Sequence, residues 1–225
     1  MVTEIASDTE GQSTALVRIS ETRVKQTKPH AISAYGKHQP YIFCTKEEYL
    51  AISAAAECER DGLLIRTLWE TGARVSEAIK LRECDIGDGY LLLDNLKQKR
   101  EGNKKQVVLS PNSDLCLKLI LYCRSNRIAG LDRLFAFTKE WAEKIFREAS
   151  TKAHVYKPAR RKGKEVMAPA WPHTFRHSNA HYLARAGVPG PIIRDNLGHS
   201  SLSVTSRYLE FTDAEKRELL KRVEL

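Results

Sequence analysis

A chain of 225 residues with 42% hydrophobic and 29% charged residues can bury one sizeable core, and it holds no apolar run near the roughly 18 residues that a membrane span requires. Its formal net charge of +9 favours a polyanionic partner, because neutralising phosphates releases counterions. The five cysteines (Cys44, Cys58, Cys84, Cys116 and Cys123) are odd in number, widely spaced and without a Cys-x-x-Cys pair, which argues against a disulfide framework and a zinc site.

The N-terminus, Met1-Val-Thr-Glu-Ile-Ala-Ser-Asp, is polar and acidic rather than a secretion leader, so a cytoplasmic, nucleoid-associated location is expected. Residues 1–39 mix Ser, Thr, Gln, Lys and Glu without periodic apolar content and read as a flexible arm or linker remnant, ahead of one domain over 40–225. Thr45-Lys-Glu-Glu48 is a capping box that starts a helix running to about Glu57. Asp61 caps a second helix, whose stripe of Leu63, Leu64, Leu68 and Trp69 stops at Thr71-Gly72. A third restarts at Ala73-Arg74 and turns Val75, Ala78 and Ile79 inward. Arg74 then stands at a helix N-terminus that favours anions, although alone it reads as a surface arginine.

Gly87-Asp-Gly89 turns the chain into a strand from Tyr90 to Leu96, and Gly102-Asn103 returns it through Gln106-Val-Val-Leu109 as an antiparallel hairpin. Its basic tip, with Lys97, Lys99, Arg100, Lys104 and Lys105, is either a solvated turn or a phosphate-contacting finger, since a loop does not bury such groups. Helices follow over 111–127 and 138–149, with Leu115, Leu117, Leu119, Ile120, Leu121, Trp141, Ile145 and Phe146 as core. The charge run of Lys152, Lys157, Arg160, Arg161, Lys162 and Lys164 reads as a solvated loop. Pro172 delays the next helix to His173; it runs to Gly187 with Phe175, Ala180, Leu183 and Ala184 inward. Further helices cover 189–197 and 201–211, and the capping box Thr212-Asp-Ala-Glu215 opens a terminal helix to residue 225 with a stripe of Leu219, Leu220 and Val223.

Chemistry concentrates in 173–208. His173 and Arg176, three apart, project from one helical face; Gly198-His199 follows, and Tyr208 comes nine residues later. A phenol, two imidazoles and a guanidinium suit attack on phosphorus, with the cationic groups holding the charge that develops on the phosphoryl oxygens and no metal required. Singly, His173 reads as a helix-start residue and Tyr208 as a packing residue. His177 and His181 are read as structural, and Ser200 and Ser201 lack the Gly-x-Ser-x-Gly setting of a hydrolase.

In order, Thr71-Gly-Ala-Arg74-Val-Ser-Glu77, the segment from Asp85 to Lys97, His173-Thr-Phe-Arg176-His and Leu197-Gly-His199 with Tyr208 nine residues on resemble the boxes of the tyrosine recombinases, the integrase and Xer class of site-specific DNA recombinases. The likeness covers roughly residues 40–215. It implies that family's catalytic-domain fold, mainly α with a small antiparallel three-stranded β-sheet. It also implies DNA cutting and rejoining through a 3′-phosphotyrosine, without metal, cofactor or ATP. By the resemblance Tyr208 is the nucleophile, His173 the base, Arg74 and Arg176 the phosphate clamp, His199 a phosphate hydrogen-bonder and Glu77 an orienter of an arginine. Lys97 protonates the departing 5′-oxygen, preferred over Lys99 by its distance from Tyr90. The partners implied are a duplex recombination site and further copies of the chain, two per site and four per synapse, with the helix from Thr212 as a plausible exchanged contact; accessory DNA-bending proteins are compatible. The family usually adds an N-terminal DNA-clamping domain of about 80–100 residues, longer than the arm here. On the same fold, a type IB topoisomerase-like relaxase and a non-catalytic DNA-binding regulator are the alternatives, and the complete boxes argue against the regulator.

Overall fold

Local hydrogen-bond chemistry sets several helix boundaries. In a computed structural model describing residues 42–95, 103–199 and 201–221, α1 (Lys46–Ala54) begins at the predicted capping box, with Thr45 Oγ1 accepting from the Glu48 N–H and Glu48 Oε2 from the Thr45 N–H. Helix α2 (Glu59–Thr71) begins earlier than expected, at Cys58, which leaves Asp61 in its first turn, buried and paired with Arg60. It ends at Gly72, whose φ of 60° is the left-handed cap conformation. The short α3 (Val75–Ala78) follows Arg74, and Val75, Ala78 and Ile79 are buried as predicted.

Strand β1 (Tyr90–Asp94) pairs antiparallel with β2 (Lys104–Val108), Leu93 opposite Lys105 and Leu91 opposite Val107. The expected arm at 1–39 and the tip residues Lys97, Lys99 and Arg100 lie outside the described residues, as does Val223. Helices α4 (Leu115–Ser125) and α5 (Lys139–Lys152, capped by Thr138) carry Leu115, Leu119, Ile145 and Phe146 into the core. Leu117, Leu121 and Trp141 do not join them: the inward stripe of α4 runs 115, 119, 123, which turns 117 and 121 outward, and Trp141 lies under the Lys144 ammonium at the surface.

The expected three-stranded sheet is instead two separate two-stranded hairpins among the described residues, and the expected loop at 152–164 holds the first strand and the turn of the second hairpin. Here β3 (Tyr156–Arg161) pairs with β4 (Lys164–Pro169) through a turn with Lys162 and Gly163 at positive φ. The charges masked a strand because most of this ribbon is solvated on both faces, so period-2 burial is absent; β4 packs on α5 whereas β2 packs on the later helix α7.

Helix α6 (Pro172–Arg185) has Pro172 in its first turn, where a missing N–H costs nothing. Phe175, fully buried, meets Trp69, Phe146 and Tyr49 edge-on at 5.1, 4.7 and 5.9 Å between ring centroids, anchoring α6 to α1, α2 and α5. Helix α7 (Gly190–Leu197) ends at Gly198 with φ 66°. Helix α8 (Leu202–Ser206) passes into a 3-10 turn at Arg207–Leu209, so the continuous helix expected over 201–211 is divided in two. The Thr212 capping box opens α9 (Asp213–Leu220).

Candidate active site

Tyr208 is not a surface residue: it is buried in a small cluster with Ala180, Ala184, Ile193 and Leu197, separate from the main core. Helices α6 and α7 form the cluster's walls, and the turn after α8 inserts the ring between them. Arg185, from the last turn of α6, ties this segment down. Its NH1 donates to the Tyr208 carbonyl at 3.1 Å, its NH2 to the Glu210 carbonyl at 3.2 Å and its Nε to Glu215 at 2.6 Å, while the guanidinium lies 4.5 Å from the Phe211 ring centroid.

The phenol Oη lies 2.5 Å from His177 Nδ1. His177 was read as structural in the sequence, yet it stands four residues after His173 on the same helical stripe, and the two rings meet edge to face at 4.8 Å. Burial, then His173 and Arg176, lower the His177 pKa to about 4. His173 opens onto solvent, and partial desolvation followed by the Arg176 and Arg74 guanidinium groups also moves it below the usual histidine range.

Arg176 is buried, with NH1 donating to the Gly72 carbonyl at 2.8 Å and NH2 to the Leu197 carbonyl at 2.6 Å. A guanidinium has five N–H donors, so anchoring to two carbonyls leaves capacity for an anion. One helix end is held on each side: Gly72 closes α2 before Arg74, and Leu197 closes α7 before His199. His199 Nδ1 lies 2.9 Å from Thr205 Oγ1 of α8. Arg74 NH1 donates to Glu77 Oε1 at 2.6 Å, and Glu77 Oε2 accepts from the Arg74 backbone N–H at 3.1 Å.

Glu77 has a second cation beside it. Lys105 Nζ lies 3.0 Å from Glu77 Oε2 and donates to the Leu197 carbonyl at 3.0 Å, with both residues buried. The expectation that the hairpin lysines stay in solvent therefore fails for Lys105: it alternates with Val107 and Leu109 on the inward face of β2, a period-2 signal the charge obscured. Burial, only partly offset by Glu77, lowers its pKa to about 8, and Arg176 and Arg74 push the same way. Burial would raise Glu77, but Lys105 and the Arg74 hydrogen bonds outweigh it and hold the carboxyl below its usual range. Lys104, on the opposite face, pairs with the buried Asp85. Lys97 and Lys99 lie outside the described residues.

A cavity of about 560 Å³ opens beside these groups, lined by Arg74 and Ser76, by Lys139, Glu143 and Arg147 of α5, by Arg160 of β3 and by Trp171 and His173. Four cationic side chains against one carboxylate give it a net positive wall, and α5 contributes two that the sequence reading had not singled out. Other basic groups are paired elsewhere: Lys157 with Glu48 in a partly buried contact, and Lys152 with Glu57 at the surface. All five cysteines are unpaired, Cys44 and Cys123 within the core. Among the described residues no helix is long and apolar enough to cross a membrane, and no group of three or more His, Cys, Asp or Glu side chains is positioned to hold a metal ion.

The chain is 33% identical over 174 residues to a protein of Methanocaldococcus jannaschii named probable integrase/recombinase protein MJ0367, an alignment covering 73% of this chain and 50% of that one. The chain spans about half to two thirds of the length of the curated relatives it matches first. The solved catalytic domain of bacteriophage HP1 integrase superposes with a TM-score of 0.59 at 23% identity, covering 81% of this chain and 95% of that one. A lambda integrase tetramer bound to a Holliday junction superposes with a TM-score of 0.52 at 22% identity, over 75% of this chain and 48% of that one. Residues 43–215 match the model of the phage integrase family, and the chain belongs to that family, with the fold of a tyrosine recombinase catalytic domain.

Proposed function

We propose that this chain is a site-specific DNA recombinase that cuts and rejoins duplex DNA through a 3′-phosphotyrosine. The observation that carries the reading is the meeting of Tyr208, His177 and His173 with Arg176 and Arg74 beside a positively charged cavity, although Arg74 and Tyr208 lie far apart in the chain.

Tyr208 Oη attacks the scissile phosphorus and the 5′-oxygen leaves. The bond exchanged is one phosphodiester for another, so rejoining requires no ATP. Arg74 and Arg176 hold the non-bridging oxygens with paired N–H donors, compensating charge in the pentacoordinate state, and His173 and His199 add hydrogen bonds to the same oxygens. Glu77 fixes the Arg74 guanidinium. A lysine of the hairpin, Lys97 in preference to Lys99, protonates the departing oxygen. The lambda integrase tetramer on a Holliday junction supports pairs of copies on each site and four in the synapse, with the exposed Leu220 of α9 as one contact surface. Accessory DNA-bending proteins and a nucleoid location are compatible with this chemistry.

The test is incubation with nicked or suicide duplex sites followed by denaturing electrophoresis. Wild type is expected to give a covalent protein–DNA adduct whose yield is insensitive to EDTA, and Tyr208→Phe none. DNA binding without an adduct would favour the regulator; relaxation of supercoiled plasmid lacking a recombination site would favour the relaxase.

A further inference from the structure

We infer that His177, and not His173, is the group that takes the proton from the Tyr208 phenol during cleavage and returns it during rejoining. The inference rests on Tyr208 being the nucleophile, as proposed above, and assigns the proton at that same atom.

Geometry carries it. His177 Nδ1 is 2.5 Å from Tyr208 Oη, within reach for direct transfer. Both groups are held: His177 by its place within α6, two residues after the core-anchoring Phe175, and Tyr208 by the Ala180, Ala184, Ile193 and Leu197 cluster and by Arg185 on its carbonyl. His173 packs its ring edge to face against that of His177 and lines the cavity together with Arg74. One imidazole therefore faces phenol and the other faces the phosphate-binding wall.

The low basicity of His177, about 4 in this half-buried setting beside His173 and Arg176, makes it neutral at physiological pH, so Nδ1 can present a lone pair to the phenol. Such a weak base does not strip the phenol in advance. Transfer is concerted with bond formation, because an oxygen bonding to phosphorus holds its proton weakly. The Tyr208 proton moves to His177 Nδ1 as the Oη–P bond forms. The P–O5′ bond breaks, its electron pair leaves with O5′, and the hairpin lysine ammonium protonates that oxygen. Rejoining reverses each transfer.

Single-turnover adduct formation on a suicide duplex tests this, using His177→Phe, which preserves a ring without an acceptor, and His177→Asn, whose amide accepts a hydrogen bond but does not take up a proton. Both are expected to slow adduct formation about a hundredfold or more, with DNA affinity and melting temperature near wild type. Replacing Tyr208 by a fluorinated tyrosine, whose phenol ionises more readily, is expected to recover at least about tenfold in either variant and little in wild type. The inference is overturned if both variants stay within about threefold of wild type, if His177→Asn alone restores the rate, or if the fluorinated phenol rescues neither variant. An adduct from Tyr208→Phe, by contrast, would overturn the nucleophile assignment itself.

Discussion

At the scale of single residues, the least expected feature is a buried lysine between two segments of the site. Lys105 joins the Glu77 carboxylate to the Leu197 carbonyl, and Arg176 donates to the same carbonyl, so the hairpin, the Arg74 segment and the end of α7 share one polar hub. Gly198, next to it, packs its Cα against the Lys105 chain, where an added Cβ would lie 3.1 Å from Lys105 Cδ. Removing one partner strands a buried charge. Glu77→Leu is expected to lower unfolding stability by about 3–5 kcal/mol in urea titrations, and combining it with Lys105→Met to lose less than Glu77→Leu alone, since an apolar pair avoids the desolvation cost. Equal or greater loss in the double variant would refute the coupling. The sequence reading located Arg74 and Glu77 but placed Lys105 in an exposed tip, either a solvated turn or a phosphate-contacting finger, because charge outweighed the alternation along β2.

At the scale of elements, function depends on how α6 holds the segment after α8. Arg185 makes four contacts there, to the carbonyls of Tyr208 and Glu210, to Glu215 and to the Phe211 ring. Arg185→Ala is expected to open residues 207–215 to limited proteolysis and amide exchange at least about tenfold faster than wild type, while the exchange of α2 and α5 is unchanged. Uniform acceleration over the molecule would instead mean global destabilisation. The capping boxes at Thr45 and Thr212 were legible because each is satisfied within four residues. The ribbon at 156–169 was not, because its partner strand and the surface beneath it come from elsewhere in the chain.

For the whole molecule, histidines held half-buried in neutral form make stability depend on pH. Burial, followed by Arg185, lowers His181 to about 4, as it does His177, whereas both titrate near 6.5 when unfolded. Between about pH 6.5 and 4 the unfolded chain binds protons that the folded one refuses, so stability is full above this window and lost as pH falls through it. His181→Phe, which keeps a ring against Phe43, is expected to reduce the loss between pH 7 and 5 by about 1–2 kcal/mol in denaturant titrations; an unchanged pH slope would show that His181 is not refused its proton. Taken by itself, the sequence determined the capped helix starts at Thr45 and Thr212, the glycine stop at 72 and the ordered boxes ending in Tyr208, because caps, periodicity and spacing act over a few residues. Only the tertiary structure decided that Lys105 is buried against Leu197, 92 positions away, and that the phenol meets His177 across 31. Those contacts depend on how α6, α7 and the hairpin pack, which no local pattern encodes.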